Sequence, residues 1–207
     1  MNYDVSHLFR GDSVGTLPSE GLLMYALVKV LNPRVIVEFG FAKGYSSGNF
    51  LRAMSADSKL YSFDPDINAY ALAKTWNDPR FKFVLKRGED FKRSDIDNNN
   101  IDMVFIDASH ELLSNVKIFH RIRKSLAPDC LIMIHDTGLF NRDFMDKEWV
   151  IDGSFYVTDK GYAQRPGERL FVNFLKWRYP KFDQIHFHSM TVECMGITML
   201  KRYQKLI

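Results

Sequence analysis

From about residue 18 to residue 134, short apolar runs rich in β-branched and aromatic residues alternate with stretches whose apolar positions recur at helical spacing. Pro18 opens the first helix, over 18–31, where Leu22, Leu23, Ala26, Leu27, Val30 and Leu31 share one face before Asn32-Pro33 stops it. Strands are predicted at 34–39, 59–63, 81–86, 101–106 and 130–134. Between them lie helices from Ser46 or Ser47 to about Ala56, over 67–76, and over 112–126, the last stopped by Pro128. This β/α alternation predicts an α/β, doubly wound, mostly parallel sheet. Each strand-to-helix passage then delivers its polar residues to one carboxyl edge, where such sheets bind ligands. The rhythm breaks after residue 136. Residues 137–167 hold no sustained period, which fits a lid over a ligand or an arm of a homodimer. A helix over 168–178 and two β-rich runs, 182–188 and 194–202, close the chain as an antiparallel pair.

With 207 residues, no repeat and no flexible linker, one domain over 1–207 is expected, with 1–33 as an N-terminal helical cap and 137–167 as an insertion. The net charge of +3 is spread along the chain without a Lys/Arg stripe, so no nucleic-acid partner is expected. No apolar run approaches the roughly 18 residues of a membrane span, and no basic, then apolar leader opens the chain. Cys130 and Cys194 sit in apolar strand-like runs and read as buried thiols in a reducing compartment. The expected location is cytoplasmic.

Chemistry concentrates at the strand ends. Glu38-Phe-Gly40-Phe-Ala-Lys-Gly44-Tyr-Ser46-Ser47-Gly48 follows the first strand, and its glycines let backbone turn tightly against a ligand. The spacing is not the Gly-x-Gly-x-x-Gly of a pyrophosphate cradle, and Glu38 would repel a pyrophosphate while suiting an ammonium or a ribose hydroxyl. Asp64 ends the second strand, in position to accept from ribose. The implied cofactor has a cationic end and a nucleoside end. Phe-Ile-Asp107-Ala-Ser-His110 and Ile-His135-Asp136-Thr137 end the fourth and fifth strands, bringing two carboxylates to one crevice. Neighbouring carboxylates repel unless a cation or a proton lies between them. Oxygen donors suit Mg²⁺ or Ca²⁺, and an imidazole from His135 shifts the choice toward Mn²⁺ or another transition metal. His186 and His188 alternate on one strand face and read as a sheet-surface pair.

These motifs resemble those of class I SAM-dependent methyltransferases over nearly the whole chain, which implies a Rossmann-like seven-stranded sheet. The resemblance assigns S-adenosylmethionine to Glu38, Gly40, Phe41, Gly44, Ser46 and Ser47, with Asp64 at the ribose. It places Gly88, Glu89 and Asp90 around the adenine, with Asp90 on the amino group, and Asp107 beside the cofactor. The fourth- and fifth-strand motifs resemble those of metal-dependent small-molecule O-methyltransferases, of the catechol type and of the bacterial branch acting on sugars and natural products. That branch implies a divalent metal, Mg²⁺ or Mn²⁺, on Asp107, His135 and Asp136, with Thr137 as an alternative to His135. His110 holds the place of the catechol-type lysine base and, with Asp107, is the expected catalytic residue. The expected substrate is a small hydroxylated molecule. Three rival readings are a metal-independent methyltransferase using His110 alone, a nicotinamide oxidoreductase disfavoured by the glycine spacing, and a non-catalytic interaction protein.

Overall fold

The computed structural model describes residues 6, 8–9, 18–138, 140–141, 156–157, 162–164, 166–187 and 196–202. In chain order the elements are α1 (Pro18–Leu31), β1 (Val35–Phe39), α2 (Tyr45–Ala53), β2 (Lys59–Asp64), α3 (Ile67–Ala73), β3 (Phe81–Leu85), β4 (Ile101–Ile106), α4 (Leu112–Ile122) and β5 (Leu126–Ile134). Then follow β6 (Phe140–Asn141), β7 (Tyr156–Val157), β8 (Tyr162–Gln164), α5 (Pro166–Arg178), β9 (Phe182–Phe187) and β10 (Ile197–Arg202).

The main sheet has seven strands in the order β3-β2-β1-β4-β5-β10-β9. The first five run parallel, while β10 lies antiparallel to both β5 and β9. This is the expected architecture, C-terminal pair included. β1 is central and buried along its whole length, so its sequence is a continuous apolar run rather than an alternating one.

The two-residue period of the strands sorts side chains onto two cores. Val35, Val37 and Phe39 of β1, with Val104, Ile106, Ile132 and Ile134, meet Ile118, Phe119 and Ile122 of α4 and Phe171, Val172 and Leu175 of α5. On the other face, Ile36, Met103, Phe105, Leu131 and Met133 meet Met24 and Val28 of α1 and Phe50 and Leu51 of α2. Each large apolar side chain buried this way contributes about 1.5–3 kcal/mol, which is why both helical layers are held to the sheet.

Three local differences from the sequence pattern have physical causes. The fourth helix ends at Ile122, not 126, and β5 begins at Leu126 with Pro128 inside it. A register irregularity there sets Ile101 opposite Leu126 but Met103 opposite Leu131, and proline is tolerated within sheets at such bulges because no ladder donor is needed. α5 starts two residues early, at Pro166, whose missing N–H is one a first helical residue leaves unpaired anyway. Within 137–167, where the sequence shows no sustained period, β6, β8 and β7 pair antiparallel as a small separate sheet.

Cys130 is a buried free thiol, pushed well up by burial and by the nearby Asp102 charge. Cys194 and His188 lie outside the described residues, as do most of 1–17 and much of 137–167. Among the described residues, no helix is long and apolar enough to cross a membrane.

Candidate active site

Parallel pairing lines up the ends of β3, β2, β1, β4 and β5 along one edge. The ladder continues past the strands: Gly40 donates to the Phe63 carbonyl (2.9 Å), Asp107 to Phe39 (2.9 Å) and His135 to Ile106 (3.0 Å). Along that edge runs a cavity of about 780 Å³, within the size range of small-molecule and cofactor sites. Gly40, Ala42, Asp64, Gly88, Glu89 and Ser114 line it toward β2 and β3, and Asp107, His110, His135 and Asp136 toward β4 and β5.

The glycine turn is built by close approach. Gly40 has φ 98°, and a Cβ there would fall 1.8 Å from the Asp107 carbonyl oxygen. Only glycine fits both the left-handed conformation and the contact. Asp64 secures the turn from β2. Its Oδ2 accepts from the Phe41 and Ala42 amides (2.9 and 3.0 Å), and its Oδ1 from the Asp66 amide (2.9 Å). Asp64 therefore both shapes the loop and lines the cavity, leaving further lone pairs for a hydroxyl donor.

Several residues expected around the cofactor sit elsewhere. Glu38 is fully buried and does not line the cavity. Its carboxylate accepts from the hydroxyls of Ser46 (2.5 Å), Ser47 and Ser62 (2.5 Å). Burial raises its pKa to about 7, against the lowering effect of the three serines, with Asp107 adding to the rise. Ser46 and Ser47 are thus spent on Glu38. Phe41 is buried among Trp76, Phe81 and Phe83, and Gly44 opens α2 at φ 79°. Of the residues expected around the adenine, Gly88 and Glu89 line the cavity and Asp90 does not. Asp90 is exposed and outside the cavity, whereas Glu89 lines it and accepts from Ser114 (2.8 Å).

At the other end, Asp107, His110 and Asp136 bring one ligand atom each within 4.8 Å of one another. This O, N, O donor set fits a divalent cation. His110 and Asp136 both hold left-handed backbone (φ 52° and 57°), a strained conformation for non-glycine residues that clusters at functional sites. His110 Nδ1 lies 2.8 Å from Glu168 Oε1 and 3.5 Å from Asp136 Oδ2. His135 is not part of that set. Its ring is buried, with Nε2 3.0 Å from Glu20 Oε2 and Nδ1 3.2 and 3.5 Å from Asp136 and Asp107. Burial depresses its pKa, but Asp107 and Asp136 outweigh that and hold it well above the usual histidine range. Thr137 is fully buried and accepts from the Thr198 hydroxyl (2.7 Å), so its oxygen is engaged on β10. His186 Nδ1 meets the same Thr198 hydroxyl (2.8 Å), as an ordinary sheet contact.

Glu20 and Glu168 carry no motif in the sequence. Each lies in the first turn of a helix, where an acidic residue reads as a favourable helix-dipole contact. The acidic first turn at 168, directly after Pro-Gly, was the available signal.

Residues 37–137, the stretch that builds the cavity's glycine turn and its strand-end acids, match the model of a family described as a methyltransferase domain. Over that stretch, just under half of the chain, the sequence is similar to a methyltransferase domain, and the fold is the Rossmann-like one of class I SAM-dependent methyltransferases. Solved structures of that fold include an O-methyltransferase from Bacillus cereus in complex with SAH, at 20% identity and TM-score 0.66, covering 90% of this chain and 82% of that one. TomG from Streptomyces achromogenes, an O-methyltransferase involved in tomaymycin synthesis and solved with SAM, is 19% identical with TM-score 0.63, over 93% and 83% of the two chains. SAH-bound PaMTH1 from Podospora anserina is 15% identical with TM-score 0.62, over 91% and 80%. At such identities the likeness establishes the fold. No curated protein matches the sequence significantly.

Proposed function

We propose that this protein moves the methyl group of S-adenosylmethionine to a hydroxyl of a small molecule, a sugar or a natural product. One observation carries the reading: a single cavity joins the glycine turn and Asp64 to a cluster of two carboxylates and an imidazole. The former suits a nucleoside with a cationic sulfonium. The latter suits an acceptor hydroxyl that must lose its proton. The methyl carbon passes from sulfur to oxygen, the sulfonium becomes the thioether of S-adenosylhomocysteine, and the hydroxyl proton goes to His110. The wall around the two ligands sets the approach of oxygen to methyl. SAH- and SAM-bound relatives of the same fold support the cofactor, and the O-methyltransferases among them support the acceptor class.

A divalent cation fits between Asp107 and Asp136, with His110 as the third donor in reach; when bound it would lower the pKa of a coordinated hydroxyl. A His110 nitrogen bound to such a cation could not at the same time act as base. A metal-independent reading has its own support. The buried His135 ring, held protonated by Asp107 and Asp136 with Nδ1 3.5 and 3.2 Å from them, can balance their charge with no metal present.

Calorimetry of SAM binding, with and without EDTA and with Mg²⁺ or Mn²⁺ restored, tests these readings together with Asp136→Ala. Loss of metal binding with SAM binding retained in Asp136→Ala supports a metal site beside the cofactor. Full methyl transfer in EDTA, read as S-adenosylhomocysteine formed with vicinal-diol acceptors, supports the metal-independent route. Absence of SAM binding under every condition would sink both.

A further inference from the structure

We propose that Phe9 is a positioning residue for the cofactor turn: lodged over Gly48 and against Trp76, it holds residues 40–44 in their ligand-binding form. This assignment rests on the proposed function only in naming S-adenosylmethionine as the ligand of that turn.

The turn is one that needs holding. Gly40, Ala42 and Gly44 all have left-handed backbone (φ 98°, 47° and 79°). For Ala42 that conformation is strained, and it persists only where the surrounding structure enforces it. Asp64 restrains the turn from the end of β2, through the Phe41 and Ala42 amides. A second restraint is aromatic. The Trp76 ring packs on Phe41 with centroids 5.2 Å apart, and a Cβ on Gly44 would fall 2.5 Å from Trp76 and 2.7 Å from Phe41. Trp76 sits in the loop after α3, so its place against the turn depends on what packs around it.

Phe9 supplies part of that packing from the far end of the chain. Its ring centroid lies 5.6 Å from that of Trp76. A Cβ on Gly48 would lie within 2.8 Å of three Phe9 ring carbons, so the bare backbone of α2 at Gly48 is the seat of the ring. Two polar contacts fix the segment there: the Phe9 amide donates to Asn49 Oδ1 (2.9 Å), and Arg52 donates to the Leu8 carbonyl (2.8 Å). Asn49 is fully buried, and its Nδ2 donates to the Tyr45 carbonyl (2.9 Å), one residue past Gly44. A ring route through Trp76 and a backbone route through Asn49 thus both run from Phe9 to the turn. Phe9, Trp76 and Asn49 do not line the cavity, so Phe9 acts on a ligand only through the turn.

Amide hydrogen exchange of the ligand-free full chain, read residue by residue by NMR, tests the assignment without SAM. Phe9→Ala and Gly48→Ala, whose methyl displaces the ring, should each speed exchange of the Phe41 and Ala42 amides about tenfold, while amides of β4 and β5 exchange as in the wild type. Phe9→Leu refills the seat and should restore protection. The two alanine losses should not add, because in the double variant the methyl takes space that the ring has left. Calorimetry on the same proteins should show SAM affinity about tenfold weaker in each single alanine variant and near that of the wild type in Phe9→Leu. Unchanged exchange at Phe41 and Ala42 in both alanine variants overturns the proposal, and so does faster exchange there with undiminished SAM affinity. Exchange that speeds equally in β4 and β5 makes Phe9 a residue of general stability and overturns it as well. Lost SAM binding in the wild type removes the proposed function instead, and the exchange pattern still decides whether Phe9 holds the turn.

Discussion

Glu38 and Asp107 sit near the carboxyl ends of neighbouring parallel strands, Glu38 one residue before the end of β1 and Asp107 just past β4, and they meet opposite fates. Glu38 is sealed from water, its oxygens taken by three serine hydroxyls. Asp107 keeps a side chain 25% exposed on the cavity, beside an imidazole on either hand. A strand-end acid is therefore not by itself a ligand-binding acid. What separates the two is the supply of internal donors. Ser46 and Ser47 follow Glu38 within one turn of helix and Ser62 faces it across the sheet, so the carboxylate is satisfied inside the protein. The loop after Asp107 instead delivers His110 to the cavity. Glu38 holds the glycine turn together; Asp107 meets what binds beside it.

The sharpest break in that contrast comes from His110. His110→Ala should lower turnover by ~10²- to 10⁴-fold, the range of a lost general base, while SAM affinity measured by calorimetry stays near that of the wild type. A variant that lost SAM binding instead would move His110 to the cofactor side of the cavity.

Glu38 should announce itself through stability rather than turnover. Its folded pKa, about 7, lies above its ordinary value of 4.5, so the folded state holds the proton more tightly than the unfolded state. Stability from this group is then fully present below pH 4.5 and falls as pH rises from there to about 7, by about 3 kcal/mol in all. Urea unfolding of wild type and Glu38→Gln across that window should show the difference between them changing with pH. A difference that stays flat would mean that Glu38 is not protonated in the folded protein near neutrality.

On the adenine side the contrast is between neighbours. Glu89→Ala removes a cavity-lining carboxylate bonded to Ser114 and should weaken SAM binding about tenfold, the worth of one charge-assisted hydrogen bond. The smallest effect is expected from Asp90→Ala. Asp90 is exposed and outside the cavity, so both SAM affinity and stability should stay within about 0.5 kcal/mol of the wild type. Reversed results for these two would assign the adenine contact to Asp90.

Much of this organisation was legible in the residues. Gly40, Asp64, Asp107, His110 and Asp136 reached the cavity because strand periodicity and punctuation are local properties, and a parallel sheet collects its strand ends on one edge. The sequence could not show that Ser46, Ser47 and Ser62 would close on Glu38. Nor could it show that His135 would turn toward Glu20, 115 residues away in the chain, or that Glu168 would cross 58 residues to reach His110.

By itself, then, the sequence determined the strands, the glycine turn and the edge of the sheet where chemistry gathers, since these follow from the chirality, periodicity and turn preferences of short segments. Tertiary structure alone decided which acids face the cavity and which are consumed by the fold. A buried polar group must find its partners wherever packing brings them, and the helices that bring Glu20 and Glu168 are placed by apolar faces far from the residues they serve.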